Sequence, residues 1–374
     1  MIPVFCQIIV SILLLFSVFS CNSANRENDV KLTFVTDTVQ FSVENVLGTI
    51  TNEQVSRRRG QLEYQFKNIN NNCIVCIGLD GRHNNFCLDK DGPNRIDPLA
   101  FEINEENIFV YDREKALILN FETSDRKRMS LILPDSVVGG QVPKMNDNMW
   151  FDAGNFSDKT ENVYFFPVRV NTRGGDIFKN LIAVDLDAAK MTLIEVPKPE
   201  GHDAAIPIAH FPLFSAMYYP YVTVCGSNLV LSYALYNEVY SYDLNQSEVN
   251  YTGEWKRIDF SSRDETTKSL DFSSATPTTE FMYKIKKSNY HYGPYKGDGS
   301  YIYQIYQKPN ADLVKESYDY GLRVFRNDLS EKIGEFDLPS SLSYRSFSVV
   351  EDQLYINIIS DDEDTVSFLR FSKN

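Results

Sequence analysis

The sequence predicts an all-β protein built as a β-propeller, and three observations carry that prediction. Tyr and Phe stand at 22 and 25 of 374 residues, and aromatic side chains, with the many Val and Ile, suit the half-buried pleated surface of strands. Stretches of helical periodicity are almost absent, whereas short alternating runs bounded by polar turn residues recur. A strand, a short acidic or Asn-rich turn and a second strand also return along the chain, as in repeat architectures whose units bury their faces against their neighbours.

The chain begins with a run that is mostly apolar, ending in Val18-Phe19-Ser20-Cys21, and turns polar at once in Asn22-Ser23-Ala24-Asn25-Arg26. An apolar core of this length is short for a bilayer span and ends in a small residue, as an export leader does. It resembles a bacterial lipoprotein signal, with Val18-Phe19-Ser20-Cys21 in the place of the lipobox. The resemblance implies a signal peptide over 1–20, lipidation of Cys21 and a polar tether over 21–29. The expected destination is the cell envelope, most naturally the outer membrane, facing the periplasm or the surface. No later stretch approaches the ~20 apolar residues of a second span, so attachment rests on the acyl chains alone.

The remaining 30–374 are read as one propeller domain. Strand-like runs stand at 31–35, 61–66 and 73–79, and strand–turn–strand units at 107–119, 181–193, 238–249 and 321–333, with a shortened form at 365–371. Each unit reads as the outer hairpin of a four-stranded blade. The segmentation that follows is 61–98, 99–142, 143–200, 201–265, 266–342 and 343–374. The last segment is too short for four strands. If 30–45 supply the missing one, the ring closes by pairing its N- and C-terminal strands and leaves no long open edge. Six blades are expected, with seven as the alternative, in preference to a two-sheet sandwich.

The turn Asp89-Lys90-Asp91-Gly92-Pro93-Asn94-Arg95-Ile96 resembles the Gly-Pro-rich turn between early blades of six-bladed β-propeller lipoproteins of gut-type bacteria, a family without an assigned activity. With the lipobox-like Cys21 and the hairpin repeat, the resemblance implies a propeller fold and an envelope location, and brings no catalytic residues to transfer. Asn94 stands where related turns often carry Gly-Glu.

Lys and Arg total 37 against 51 Asp and Glu, a net charge of -14, so nucleic acid is an unfavourable partner. Cys73, Cys76, His83 and Cys87 have ligand types suited to zinc. In a strand, however, Cys73 and Cys76 face opposite sides, which leaves a disulfide or buried thiols as the competing readings. Asp89, Asp91, Asn94 and Asp97 gather oxygens around Gly92 without the spacing or bidentate Glu of an EF-hand, and Asp361-Asp362-Glu363-Asp364 reads as a charged hairpin tip. No cofactor is expected. The four histidines are His83, His202, His210 and His291, and there is no Gly-x-Ser-x-Gly elbow, His-Glu-x-x-His helix or phosphate-binding Gly loop.

The long Pro-containing loop 201–212 and the clusters Met217-Tyr218-Tyr219-Pro220-Tyr221 and Tyr290-His291-Tyr292-Gly293-Pro294-Tyr295 are the candidate recognition features. An exposed tyrosine offers an apolar face with a polar tip. His210, Tyr219, Tyr221, Tyr292 and Tyr295 are therefore the expected contacts of a non-enzymatic module that binds an extracellular or periplasmic glycan, peptide or protein. The alternative is a propeller hydrolase or lyase acting on a glycan through paired carboxylates at the central channel.

Overall fold

The computed structural model describes residues 34–373 apart from 44–48, 93–94, 97–99, 104–106, 112–114, 121–125, 131–142, 145–153, 157–162, 173–174, 186–187, 189, 200–219, 247–252, 259–289, 298, 310–318, 340–341 and 359–363. Its first strand, β1 (Phe34–Ser42), stands apart from the strands that follow it in sequence. The next four form an antiparallel sheet in chain order: β2 (Ile50–Arg58), β3 (Gln61–Asn68), β4 (Cys73–Gly78) and β5 (His83–Cys87). A second sheet holds β6 (Ala100–Ile103), β7 (Asn107–Tyr111), β8 (Lys115–Asn120) and β9 (Arg126–Ser130).

The third sheet is irregular. Two short pieces, β10 (Pro143–Lys144) and β11 (Gly154–Phe156), both pair with the long β12 (Val163–Thr172), which continues into β13 (Gly175–Asp185) and β14 (Lys190–Glu195). The fourth sheet comprises β15 (Pro220–Cys225), β16 (Asn228–Tyr233), β17 (Tyr236–Asp243) and β18 (Lys256–Ile258), and the fifth β19 (His291–Gly297), β20 (Tyr301–Gln307), β21 (Tyr320–Arg326) and β22 (Lys332–Leu338). The sixth contains β23 (Leu342–Val350), β24 (Gln353–Ile358) and β25 (Thr365–Lys373), and takes β1 as its fourth strand. The closure runs in register from Phe34↔Lys373 to Ser42↔Thr365. Pairing β1 with β25 covers the edge that β25 would otherwise present.

The architecture is an all-β propeller. The sequence led to six, or alternatively seven, uniform four-stranded blades. Among the described residues there are five regular four-stranded blades, and the third sheet departs from the pattern in that two short strands, β10 and β11, both pair with β12. The first boundary also moves, since that sheet begins at Ile50 rather than residue 61. The β2 sequence, ITNEQVSRR, has two apolar residues in nine, too few to read as a strand by alternation.

The expected hairpins at 107–119, 181–193 and 321–333 correspond to paired strands, although β7–β8 occupies the middle of its sheet rather than the outside. After β17 the chain passes through a short 3₁₀ turn, Leu244–Gln246, and the partner strand is β18, so the return placed near residue 248 belongs further on. Residues 365–371 lie in one strand.

Burial follows position within each sheet. The middle strands β3, β16, β20 and β21 are buried on nearly every residue, whereas β5 is mostly exposed and β18 and β22 are only partly covered. A middle strand has both faces covered by neighbouring sheets, so polar residues are buried on it beside the aromatics, among them Glu63 and Gln65 of β3, Gln304 of β20 and Arg323 of β21. Alternation sorts its side chains between the two neighbours. Cys73, Val75 and Ile77 of β4 pack with Val39, Phe41, Tyr355 and Phe368 of the sixth sheet. Ile74 and Cys76 of the same strand pack with Phe101, Ile108 and Val110 of the second. Likewise Leu229 and Leu231 of β16 face Val163, Phe165 and Leu181 of the third sheet, while Val230 faces Tyr295, Ile302 and Phe325 of the fifth. Phe109 stacks on Tyr164 across the second and third sheets, with centroids 3.6 Å apart. Phe34 meets Phe336 edge-on at 5.1 Å across the sixth and fifth.

Candidate functional site: a cleft built by two hairpin turns

The turns that end β2–β3 and β4–β5 emerge at the same end of the first sheet and enclose a polar cleft of about 560 Å³. Arg58, Arg59, Gln61 and Glu63 form one wall. Asp80, Arg82, His83, Asn84 and Phe86 form the other.

The first wall is a two-residue hairpin. Arg58 pairs with Gln61, and Arg59 and Gly60 between them have φ of 50° and 75°, the pair of positive values that a type I′ turn requires. Gly60 takes this conformation freely, but an arginine there costs on the order of 1 kcal/mol. The equivalent hairpin of the sixth sheet, β23–β24, also carries non-glycine residues at φ 49° and 62°. There each has a visible use: Glu351 pairs with Arg57 at 2.8 Å, and Asp352 accepts from the Ser300 and Tyr301 amides at 2.6 and 3.1 Å. Arg59 lines the cleft.

Behind it, Arg58 donates through Nε and Nη2 to the two carboxylate oxygens of Glu63 at 3.1 and 2.8 Å, and both side chains are buried. A bidentate pair of this kind holds the guanidinium plane fixed. Glu63 also accepts from Gln65 Nε2 at 3.2 Å, and Gln65 from Gln54 at 3.1 Å, so the ion pair is anchored in a polar chain along β2 and β3.

The second wall is tied by Asp80. Its carboxylate accepts the Arg82 amide at 3.1 Å and the Arg82 Nε, and the amide bond leads among the causes that hold its pKa below the usual aspartate range. The carboxylate lies close to Gly78, where an added Cβ would stand 2.8 Å from Oδ1 unless the Asp80 side chain turned aside. At the far end of the same hairpin, a disulfide joins Cys73 to Cys87, which face each other in register across β4 and β5.

The cysteine cluster is thereby resolved. Cys73 and Cys87 bond to each other, and Cys76 points into the opposite interface as a buried free thiol. Burial pushes the Cys76 thiol up to about 12, and that of Cys225 likewise to about 12. His83 lies opposite Ile77 at the turn end of β5, away from the disulfide. Among the described residues no three His, Cys, Asp or Glu side chains gather as a metal site would require. Asn94, Asp97 and 361–363 lie outside the described residues; Asp89 pairs with Arg126 at 3.5 Å.

Of the tyrosines expected at a recognition surface, Tyr292 and Tyr295 are 1% exposed and belong to the core, which corrects the expectation that both make ligand contacts. Tyr295 packs against Phe325 with centroids 5.4 Å apart. Tyr292 stacks with Tyr290 and lies beneath the Arg323 guanidinium, 5.2 Å from its centroid. The reason is that β19 is covered by the neighbouring sheets, so its aromatics fill an interface between them. Tyr221 on β15 is half-buried. His210, Tyr219 and Cys21 lie outside the described residues. The cleft arginines were not singled out from the sequence; the available signal was the run Arg57-Arg58-Arg59-Gly60 in a chain of net charge -14.

The family described as Domain of unknown function (DUF4221) matches residues 27–330. The crystal structure of a member of that family from Bacteroides vulgatus is similar at a TM-score of 0.63 and 16% identity, covering 92% of this chain and 98% of that one. Virginiamycin B lyase from Staphylococcus aureus is similar at a TM-score of 0.41 and 11% identity, covering 90% and 99%. A putative TolB from Agrobacterium tumefaciens gives 0.39 and 10%, covering 91% and 99%. No curated protein matches the chain.

Proposed function

For a chain that belongs to the DUF4221 family, we propose the role of an envelope-anchored binding propeller that recognises its ligand in the cleft between the β2–β3 and β4–β5 turns. The observation that carries this reading is the cleft itself: about 560 Å³, lined by charged and amide side chains on two hairpins that are tied in place from behind. That volume falls within the ~300–1,000 Å³ typical of small-ligand sites. Both carboxylates of the cleft are engaged by arginines, an arrangement that suits binding better than proton transfer, and binding is favoured here over glycan cleavage.

The anchor is the acyl group of a lipidated Cys21, following the leader in 1–20, with the propeller held at the outer membrane facing the periplasm or the surface. The irregular third sheet counts as the sixth blade of the ring; its strands β11 and β12 approach β15, and Phe109 stacks on Tyr164.

Both parts are testable on the full-length chain. Cys21→Ser should move the protein from the membrane fraction to the soluble one, and unchanged fractionation defeats the anchor. A thermal-shift panel of glycans, peptides and envelope proteins should give a saturable rise with one class, because a ligand that binds the native state stabilises it. The rise should disappear in Arg82→Ala; a rise that survives this change removes the cleft from the proposal.

A further inference from the structure

We propose that β5 is a docking edge on which an extended segment of another polypeptide, neutral or basic, adds as a further strand of the first sheet and ends in the cleft. This names the ligand class of the cleft and rests on the cleft being the binding site. The ladder shows which backbone groups are available. Leu88 N donates to Asn72 O at 3.0 Å and Gly78 N to Arg82 O at 2.9 Å, on either side of the run from Cys73↔Cys87 to Ile77↔His83. Antiparallel bonding alternates from residue to residue, so Asn84 and Phe86 turn their N–H and C=O towards β4, while His83, Asn85 and Cys87 turn theirs outwards. Those outward groups bond to nothing among the described residues, and β5 is exposed at four of its five positions.

Composition is the second argument. The strand at the corresponding end of every other sheet carries charge: Arg128 on β9, Lys190 on β14, Lys256 on β18, Lys332 on β22 and Asp37 on β1. Charged side chains are a common guard against strand addition. The β5 sequence, HNNFC, has no Lys, Arg, Asp, Glu or Pro. The edge is also held in place beforehand, since Cys87 is bonded to Cys73 and Phe86 packs on the core of the second sheet, which lowers the ordering cost of binding. It runs into the cleft, whose lining includes His83 and Asn84. The net charge of -14 opposes a second copy of the chain and favours a neutral or basic segment, recognised through its backbone.

The test screens the full-length chain in detergent against a displayed library of linear dodecapeptides, with an enriched sequence then titrated calorimetrically as a free peptide. The expected result is saturable binding that Asn85→Ala leaves unchanged and Asn85→Pro lowers about tenfold. Proline removes only an outward N–H, which an edge strand tolerates, so the unfolding temperature should hold. Recognition through the side chain would make Asn85→Ala as weak as Asn85→Pro and overturn the inference. N-methylation of alternate peptide residues should abolish binding in one phase and spare it in the other, because every second residue of an added strand bonds to the edge.

Binding indifferent to Asn85→Pro but lost in Arg82→Ala overturns strand addition and leaves the cleft; the opposite pattern supports strand addition and removes the cleft from the proposed function. A dimer of the chain that Asn85→Pro dissolves gives the edge to a second copy and overturns the inference. Failure of any peptide to enrich over a detergent-only surface also overturns it, and the glycan arm of the thermal-shift panel then decides separately on the cleft.

Discussion

Arg323 shows how much one side chain can organise. It is 2% exposed, in register with Glu335 on β22, and lies over the Tyr306 ring at 4.5 Å and the Tyr292 ring at 5.2 Å. Its Nη1 donates to Asn237 Oδ1 of the fourth sheet at 2.9 Å. Burial pulls the Arg323 pKa below its ordinary value despite Glu335. Burial also raises that of Glu335, but hydrogen bonds from Lys332 and Tyr306 and the charge of Arg323 outweigh it, and the carboxyl ends below the usual range. Tyr306 reaches Glu335 by lying over Gly321, which has no Cβ to obstruct the ring. Arg323→Ala leaves buried partners without their charge and should cost about 3–5 kcal/mol, whereas Arg323→Met should cost less. Equilibrium urea unfolding checks both, and a loss under about 1 kcal/mol for the alanine variant would show that the cluster is not structural. Nothing in Gly321-Leu322-Arg323-Val324-Phe325 marks the arginine as buried, because an Arg in a strand reads as a solvent-facing position until a second sheet covers it.

The β4–β5 hairpin joins chemistry to covalent structure. Its turn supplies Asp80, Arg82 and His83 to the cleft, and its open end is closed by the Cys73–Cys87 bond across a separation of 14 residues. Removing a bridge over a loop of about 15 residues is expected to cost about 3 kcal/mol on a chain-entropy account. The Cys73→Ser, Cys87→Ser protein should lower the urea midpoint accordingly and weaken any cleft ligand, because the second wall loses its tie. Unchanged affinity at unchanged stability would mean that the hairpin is held by its ladder alone. The hairpins themselves were readable where each strand alternates and a polar turn separates them, as in 321–333. β2 was not, since it has only two apolar residues in nine and ends in Arg57 and Arg58, whose role becomes visible only when Arg58 meets Glu63 across the ladder.

Across the molecule, closure depends on β1 meeting β25. Arg370 donates through Nε to Asp37 Oδ1 at 2.7 Å, and its hydrogen bond to the carboxylate is the leading cause that holds the Asp37 pKa below the ordinary value. A depressed carboxyl contributes stability that is complete above the unfolded value of about 3.9 and is lost as pH falls through the lower folded value. Asp37→Asn should therefore cost no more than ~1 kcal/mol at neutral pH, the pair being half exposed. The difference from the native chain should shrink as unfolding is repeated at successively lower pH. A difference that persists undiminished in strong acid would assign the effect to packing rather than charge.

The sequence by itself determined the fold class, the strand–turn–strand grammar and the return of an N-terminal strand to the C-terminal sheet, because these follow from local alternation, turn chemistry and the shortage of strands in the last segment. Tertiary structure alone decided which tyrosines are core, which cysteines bond and where the cleft lies. Tyr292 and Tyr295 read as surface aromatics until neighbouring sheets cover them, and Cys73 and Cys87, 14 residues apart, meet only once β4 and β5 settle into register. Arg59 and Arg82 come from different hairpins, and no spacing along the chain encodes the cavity they share. Local pattern dictates which faces are apolar; what lies against each face is a property of the assembled ring.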